Sequence, residues 1–330
     1  MEPSLVEQIA PEQVTLAIEG WNAQDLKSRQ VFERSLRSLA GQTYPVHRCQ
    51  VVVIMDAAVP EKEVNWIKDY LPTASIVPVR AATYYRIKNR AIESARGDVL
   101  VFADSDVRYA EDWCASLIGC LSSGNDMVVG HTQFDDGPLS RTLNVTDWSA
   151  RRLSSGPGEW FHVNNLAMRR SVFERIRFRD DLGRSAGGSL NVLREQLRPM
   201  GIVPYFCLEA RGLHHLAPFW LKRLRIGGYH VHYRRMAPEA EWSWLARLPI
   251  LAPMLVTGGT LVKAYQRAWR LRSTLPLGGL SLPLFLSSIA AVKAVECLGA
   301  AMVAWAPRWV SRRFGWFDPP EFTSEVPGLA

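Results

Sequence analysis

The stretch Val99-Leu100-Val101-Phe102-Ala103-Asp104-Ser105-Asp106 decides how the chain is read. Five apolar residues in a row predict a strand buried on both faces, as in a parallel sheet. The run stops at two carboxylates separated by one serine. On extended backbone alternate side chains share a side, so Asp104 and Asp106 point the same way. Ligands of open α/β sheets sit in the crevice outside the carboxyl ends of the strands. Two hard oxygen ligands there suit Mg²⁺ or Mn²⁺ shared with substrate phosphates. An acidic turn after a strand has the same composition, because Asp is common in turns. The rest of the chain decides between the two.

Working outward, Val14 to Ile18 reads as a first strand ending at Glu19-Gly20-Trp21-Asn22. Val31, Phe32, Leu36 and Leu39 recur at helical spacing over 28–40, and Gly41 stops them. Gln50 to Met55 is a second buried strand ending in Asp56, followed by a helix over 61–71. Ser75 to Val79 is a third strand, and 84–95 a third helix. Strand–helix three times, then the strand at 99–104, predicts a parallel sheet wrapped by helices. Beyond it lie a helix over 111–121, a strand at 127–129 and a Gly-, Pro- and Ser-rich loop over 135–160. An extended stretch over 161–168, a helix over 190–198 and a last strand over 202–208 follow.

After residue 240 the composition changes. Trp244 to Val262 and Leu275 to Pro307 are apolar tracts, interrupted by prolines and by Arg247, Lys293 and Glu296. Basic clusters flank every end of both tracts, among them Arg234 and Arg235, Arg270 and Arg272, and Arg312 and Arg313. The positive-inside rule keeps all of these in the cytosol. Interfacial or re-entrant helices satisfy that better than clean spans. The division expected is therefore 1–235 for the α/β domain and 236–330 for a hydrophobic, membrane-associated helical region.

The 330 residues carry a formal net charge of +7, with 48% hydrophobic residues, enough for a sizeable core. This balance admits nucleic acid, an anionic membrane or a phosphorylated substrate. The basic residues gather beside apolar tracts, not on a stripe of stacking aromatics, which excludes nucleic acid. Five scattered cysteines show neither zinc spacing nor a disulfide framework, so a reducing compartment is expected. Met1 to Glu12 lacks the basic and apolar regions of a secretory signal.

Residues 14–230 resemble the family-two glycosyltransferases, whose fold is GT-A: a Rossmann-like mixed sheet flanked by helices. Ser35 to Pro45 is similar to the family's "SL..Q.YP" helix, and Val51 to Asp56 to its strand ending in an acid. Lys88-Asn89-Arg90-Ala91 stands at its "ARN.G" position. Gly97-Asp98 followed by Asp104-Ser105-Asp106 matches its "GD" strand and DXD motif, and Asn164 to Arg170 its "N.A.RR" strand. The resemblance implies a metal-dependent, inverting glycosyltransferase of the hexosyltransferase type. Its donor would be a nucleotide-sugar, with a UDP-sugar the first expectation, and its acceptor a hydroxyl or lipid-linked acceptor. The setting would be cell-envelope or polysaccharide synthesis on the cytoplasmic side of the cell membrane.

The resemblance also assigns roles. Glu19, Trp21, Asp56, Lys88, Asn89 and Asp104 would line the donor, with Asp56 on the base, Trp21 stacked against it, Asp104 on the ribose and Lys88 on a phosphate. Asp104, Asp106 and His215, chosen over His214, would surround the metal. One departure is serious. The family's base is the Asp of a Glu-Asp pair, and that pair falls here at Ser189-Leu190. Neither side chain accepts a proton from a hydroxyl, and the substitute chosen is Asp181. The alternative reading is a catalytically degenerate, nucleotide-sugar-binding scaffold at the membrane.

Overall fold

The computed structural model describes residues 9–20, 26–60, 64–80, 83–134, 140–146, 154–158, 162–180, 186–215, 219–236, 243–244, 248, 250–273 and 281–316. The chain divides into two compact units. One comprises 1–135, 152–178 and 193–215; the other comprises 136–151, 179–192 and 216–330. The division read at residue 235 thus falls near 215, with two further segments of the first 192 residues joining the second unit.

The first unit is built on β1 (Val14–Glu19), β2 (Gln50–Asp56), β3 (Ser75–Val79) and β4 (Val99–Asp104), all parallel. Its remaining strands are β5 (Val107–Tyr109), β6 (Met127–Phe134), β7 (Gly156–Pro157), β8 (Asn165–Arg169) and β9 (Tyr205–His214). Among the described residues these make one mixed sheet in the order β3-β2-β1-β4-β8-β6-β9-β5, with β7 paired to β9. Strand β8 is antiparallel to both β4 and β6, while β6 and β9 run parallel.

Every residue of β1 and β4 is buried, because helices cover both faces. On one face Val14, Leu16, Ile18, Val101 and Ala103 join Phe32, Leu36 and Leu39 of α1 (Leu26–Ala40). α2 (Tyr84–Ser94) is capped by the Thr83 hydroxyl, which accepts from the Arg86 N–H. α3 (Trp113–Ser122) adds Trp113, Leu117 and Leu121 to the same core. The helix read over 61–71 is instead a short 3₁₀ segment, Asn65–Asp69, in which Ile67 is the residue buried. Gly97 is dictated by closeness: a Cβ there would sit 2.4 Å from the Gln13 carbonyl oxygen. The same turn gives the N–H groups of Arg96 and Gly97 to the Thr15 hydroxyl.

The described helices that follow are α4 (Ser140–Thr146), α5 (Arg170–Phe173), α6 (Ala186–Leu197), α7 (Phe219–Met236), α8 (Leu251–Arg270), α9 (Ser281–Trp305) and α10 (Pro307–Phe314). Within the second unit, α7 and α9 touch backbone to backbone. A Cβ on Gly227 would lie 1.8 Å from the Glu296 carbonyl oxygen, and one on Gly299 would lie 1.9 Å from that of Leu224. Beside this contact Glu296 accepts from Arg223 at 2.8 Å and from Lys293 at 2.7 Å, all three side chains being buried. Val145, Ala264, Ala268, Phe285 and Ile289 form a separate apolar cluster joining α4, α8 and α9.

Candidate active site

Strand order reverses between β1 and β4: the chain proceeds from β1 outward to β3, then returns to β1's other side. The crevice at such a switch point is where open α/β sheets bind ligands. Glu19 and Asp104 are register partners at the ends of the two strands, and both are buried. Asp56 ends β2 on the same edge. Strand β9 also runs parallel to this set, so His214 at its end arrives there too. The short β5 pairs Val107 with His214 and thereby carries Asp106 to the same histidine.

Asp104 is held by every polar atom it has. Its N–H donates to the Tyr109 hydroxyl oxygen at 2.8 Å, and its carbonyl accepts from the Ser35 hydroxyl at 3.0 Å. Its carboxylate accepts from the Tyr84 hydroxyl at 2.8 Å and from Lys88 Nζ. Lys88 is 1% exposed, with its ammonium 5.0 Å from the Tyr84 ring centroid and 5.2 Å from that of Phe102. Burial, reinforced by the negative charge of Asp104, pushes the Tyr84 hydroxyl well above its ordinary pKa. Tyr109 shifts the same way for the same two leading causes, and both are donors throughout the neutral range.

Asp106 has different company. Its Oδ2 lies 3.4 Å from His214 Nε2. His214 Nδ1 lies 2.8 Å from the His215 carbonyl, so Nδ1 carries the hydrogen. In the neutral ring Nε2 is then an acceptor turned toward a carboxylate. Two acceptors facing each other suit a shared proton or a bound cation. One carboxylate and one imidazole, completed by donor phosphates, fit the small protein contribution that Mg²⁺ or Mn²⁺ requires. Among the described residues no group of three or more His, Cys, Asp or Glu side chains is poised for a metal.

The expected residues have the following surroundings. His215 meets Asp106 through its backbone N–H, which donates to the Asp106 carbonyl at 2.7 Å; the imidazole facing the Asp106 carboxylate is that of His214. Lys88 pairs inside the protein with Asp104. Asn89 exchanges two hydrogen bonds of 2.9 Å with the backbone of Phe178. Asp56 Oδ1 accepts from the Ala58 N–H at 2.9 Å, closing its own turn. Trp21 and Asp181 lie outside the described residues, as does the side chain of Ser189. Leu190, at the position of the family's base, is half-buried on α6. Tyr84 also belongs to this site, and its spacing of four from Lys88 on one helix is the sequence signal for it.

The sequence over residues 26–181 matches glycosyl transferase family 2. Those residues belong to glycosyl transferase family 2. The chain is similar in structure to the mannosyltransferase PcManGT from Pyrobaculum calidifontis, solved in complex with GDP-Man and Mn²⁺. Identity is 16%, the TM-score is 0.53, and 90% of each chain is covered. It is also similar to S. aureus TarS 1–349, at 13% identity and a TM-score of 0.46, over 89% of this chain and 91% of that one. No curated protein matches the sequence. The fold is GT-A.

Proposed function

We propose that this glycosyltransferase moves a sugar from a nucleotide-sugar donor to a hydroxyl or lipid-linked acceptor, with inversion at the anomeric carbon. A UDP-sugar is the first donor to test and GDP-mannose the second. The observation that carries the reading is the Asp106–His214 pair, a carboxylate oxygen and an imidazole nitrogen 3.4 Å apart beside the switch point of the sheet. Asp106 and His214 would hold Mg²⁺ or Mn²⁺, which supplies neutralisation of the charge developing on the leaving diphosphate. Asp56 would accept from the base. Asp104, fixed by Tyr84 and Lys88, would orient the ribose. The acceptor oxygen forms its bond to the anomeric carbon as the bond to the diphosphate oxygen breaks, and the hydroxyl proton passes to a carboxylate, for which Asp181 is assigned. We place the work in cell-envelope or polysaccharide synthesis at the cytoplasmic face of the membrane.

The test is release of nucleoside diphosphate by the purified chain with Mn²⁺, a panel of nucleotide-sugars and a membrane extract as acceptor. Release from one donor, abolished in Asp106→Ala, is expected. Calorimetric binding of a donor without turnover under any acceptor condition would favour the scaffold reading, consistent with Leu190 standing where the family has its base. Neither binding nor release would overturn both.

A further inference from the structure

Among the described residues the large apolar side chains left exposed are almost all in one unit. Apart from Val203, every one lies between Trp220 and Trp309. Five are tryptophans: Trp220, Trp244, Trp269, Trp305 and Trp309. The sequence over 216–316 carries fourteen Lys and Arg against three Glu, a net +11. The whole chain is only +7, so the remainder is net negative. Exposed apolar surface and positive charge are therefore concentrated in the same hundred or so residues.

α8 sorts these features onto faces. Leu251, Leu255, Val262 and Trp269 are exposed and recur at intervals of four and seven, which places them on one line along the helix, with Met254 beside it. Lys263 and Arg270, also seven apart and exposed, run along the border of that line. The opposite side, with Ala264 and Ala268, is buried in the cluster with Val145 and Ile289. An exposed apolar stripe bordered by Lys and Arg, ending in Trp, is the pattern of a helix lying in a membrane interface. α10 shows the same chemistry in miniature, with exposed Trp309 among Arg308, Arg312 and Arg313.

α9 is the described helix long and apolar enough to cross a bilayer, over Leu282–Trp305. Its environment is divided, with Leu284, Leu298 and Trp305 exposed. Of its most apolar window, 44% is buried; Lys293 and Glu296 are paired inside the unit, and Gly299 seats the α7 backbone. Its exposed side runs from Leu284 through Ser287, Ala291 and Ala294 to Leu298 and Trp305, apolar at the two ends and small in the middle.

We infer that the chain docks on anionic bilayers through α8, lying in the plane of the interface with Leu251, Leu255, Val262 and Trp269 in the apolar layer and Lys263 and Arg270 toward the headgroups, while α9, tied to α7 by the buried Glu296 pairing and the Gly299 contact, does not cross the bilayer. This deepens the membrane role proposed above, and its readout is independent of sugar transfer. The full chain is sedimented with vesicles of phosphatidylcholine alone or with about one-third phosphatidylglycerol, at low and high salt. Preferential, salt-weakened binding to the anionic vesicles is expected. Lys263→Glu with Arg270→Glu should weaken anionic binding roughly fivefold per residue. Leu255→Glu with Val262→Glu should abolish vesicle binding while leaving thermal unfolding and nucleoside diphosphate release on a soluble acceptor unchanged. Alkaline carbonate should strip the wild type from vesicles. Retention after carbonate would overturn the inference in favour of a spanning helix. Unchanged vesicle binding by both double variants would overturn it as well, and a dimer-to-monomer shift in light scattering would then identify the stripe as a contact between copies.

Discussion

Lys88 and Asp104 form a buried ion pair at the end of β4, with side chains 1% and 6% exposed. The fold thereby fixes the first acid of the Asp-Ser-Asp motif before any ligand arrives. Removing one partner of such a pair leaves the other charge buried and uncompensated, which costs about 3–5 kcal/mol. Lys88→Met should lower stability in urea denaturation by that order. Arg90→Ala, which breaks the exposed Arg90–Glu93 pair one residue-pair along the same helix, should cost about 1 kcal/mol or less. Equal losses in the two variants would contradict the placement of Lys88.

The Tyr84 hydroxyl donates to the same carboxylate, and its loss in Tyr84→Phe should cost about 1.5–3 kcal/mol at neutral pH, as for hydrogen bonds to charged groups. The variant also predicts a pH signature. Folded Tyr84 keeps its proton above the pH at which the unfolded chain releases it, because burial and then Asp104 raise its pKa. The native state binds the extra proton, so this contribution is complete below the unfolded tyrosine pKa of about 10 and is lost as pH rises beyond it. The stability gap between wild type and Tyr84→Phe should therefore narrow above pH 10, by up to about 1.4 kcal/mol per pH unit. A gap constant from pH 7 to pH 11 in paired denaturant titrations would sink this assignment.

The parallel half of the sheet was legible because its strands are continuous apolar runs separated by helical periodicity, with the edge of the crevice marked by Glu19, Asp56 and Asp104. Strand β5 was not: Val107-Arg108-Tyr109 is three residues directly after an acidic turn, too short for a period. It forms because β9 continues to His214, six residues beyond the end expected from its apolar run, past a register shift between Gly130 and His131 of β6. That extension is set by tertiary pairing, and it is what brings His214 to Asp106. The choice between two adjacent histidines depended on strand phase, since neighbouring residues on a strand face opposite ways. The apolar tracts after residue 240 were visible, but which helix would pack inside depended on Gly227, Gly299 and the Glu296 pairing, which act only in three dimensions.

The Asp106–His214 geometry predicts different effects for the two histidines. His214→Gln should raise the Mn²⁺ concentration for half-maximal activity by about 10- to 100-fold, the usual effect of losing a metal-site partner. His215→Ala, which keeps the backbone N–H bonded to the Asp106 carbonyl, should shift it less than about threefold. Titration of Mn²⁺ by electron paramagnetic resonance in the presence of donor gives the affinity without turnover. The opposite order of effects would return the role to His215.

Glu296 satisfies two buried cations at once, Arg223 on α7 and Lys293 on its own helix. Arg223 and Glu296 are each 2% exposed, and Lys293 is 8%, so water screens none of them well. Glu296→Gln keeps the shape and removes the charge that Arg223 and Lys293 share; the cost should be about 3–5 kcal/mol. The loss should be confined to the second unit: hydrogen exchange should speed up in α7 and α9 and stay slow in β1 and β4. Replacing the three together, Arg223→Met, Lys293→Met and Glu296→Leu, removes these three buried charges and should recover most of the loss, because well-packed apolar groups of similar volume often equal or exceed a buried ion cluster. If the triple variant is as unstable as Glu296→Gln, volume and packing against Gly227 and Gly299, not charge, hold α7 on α9.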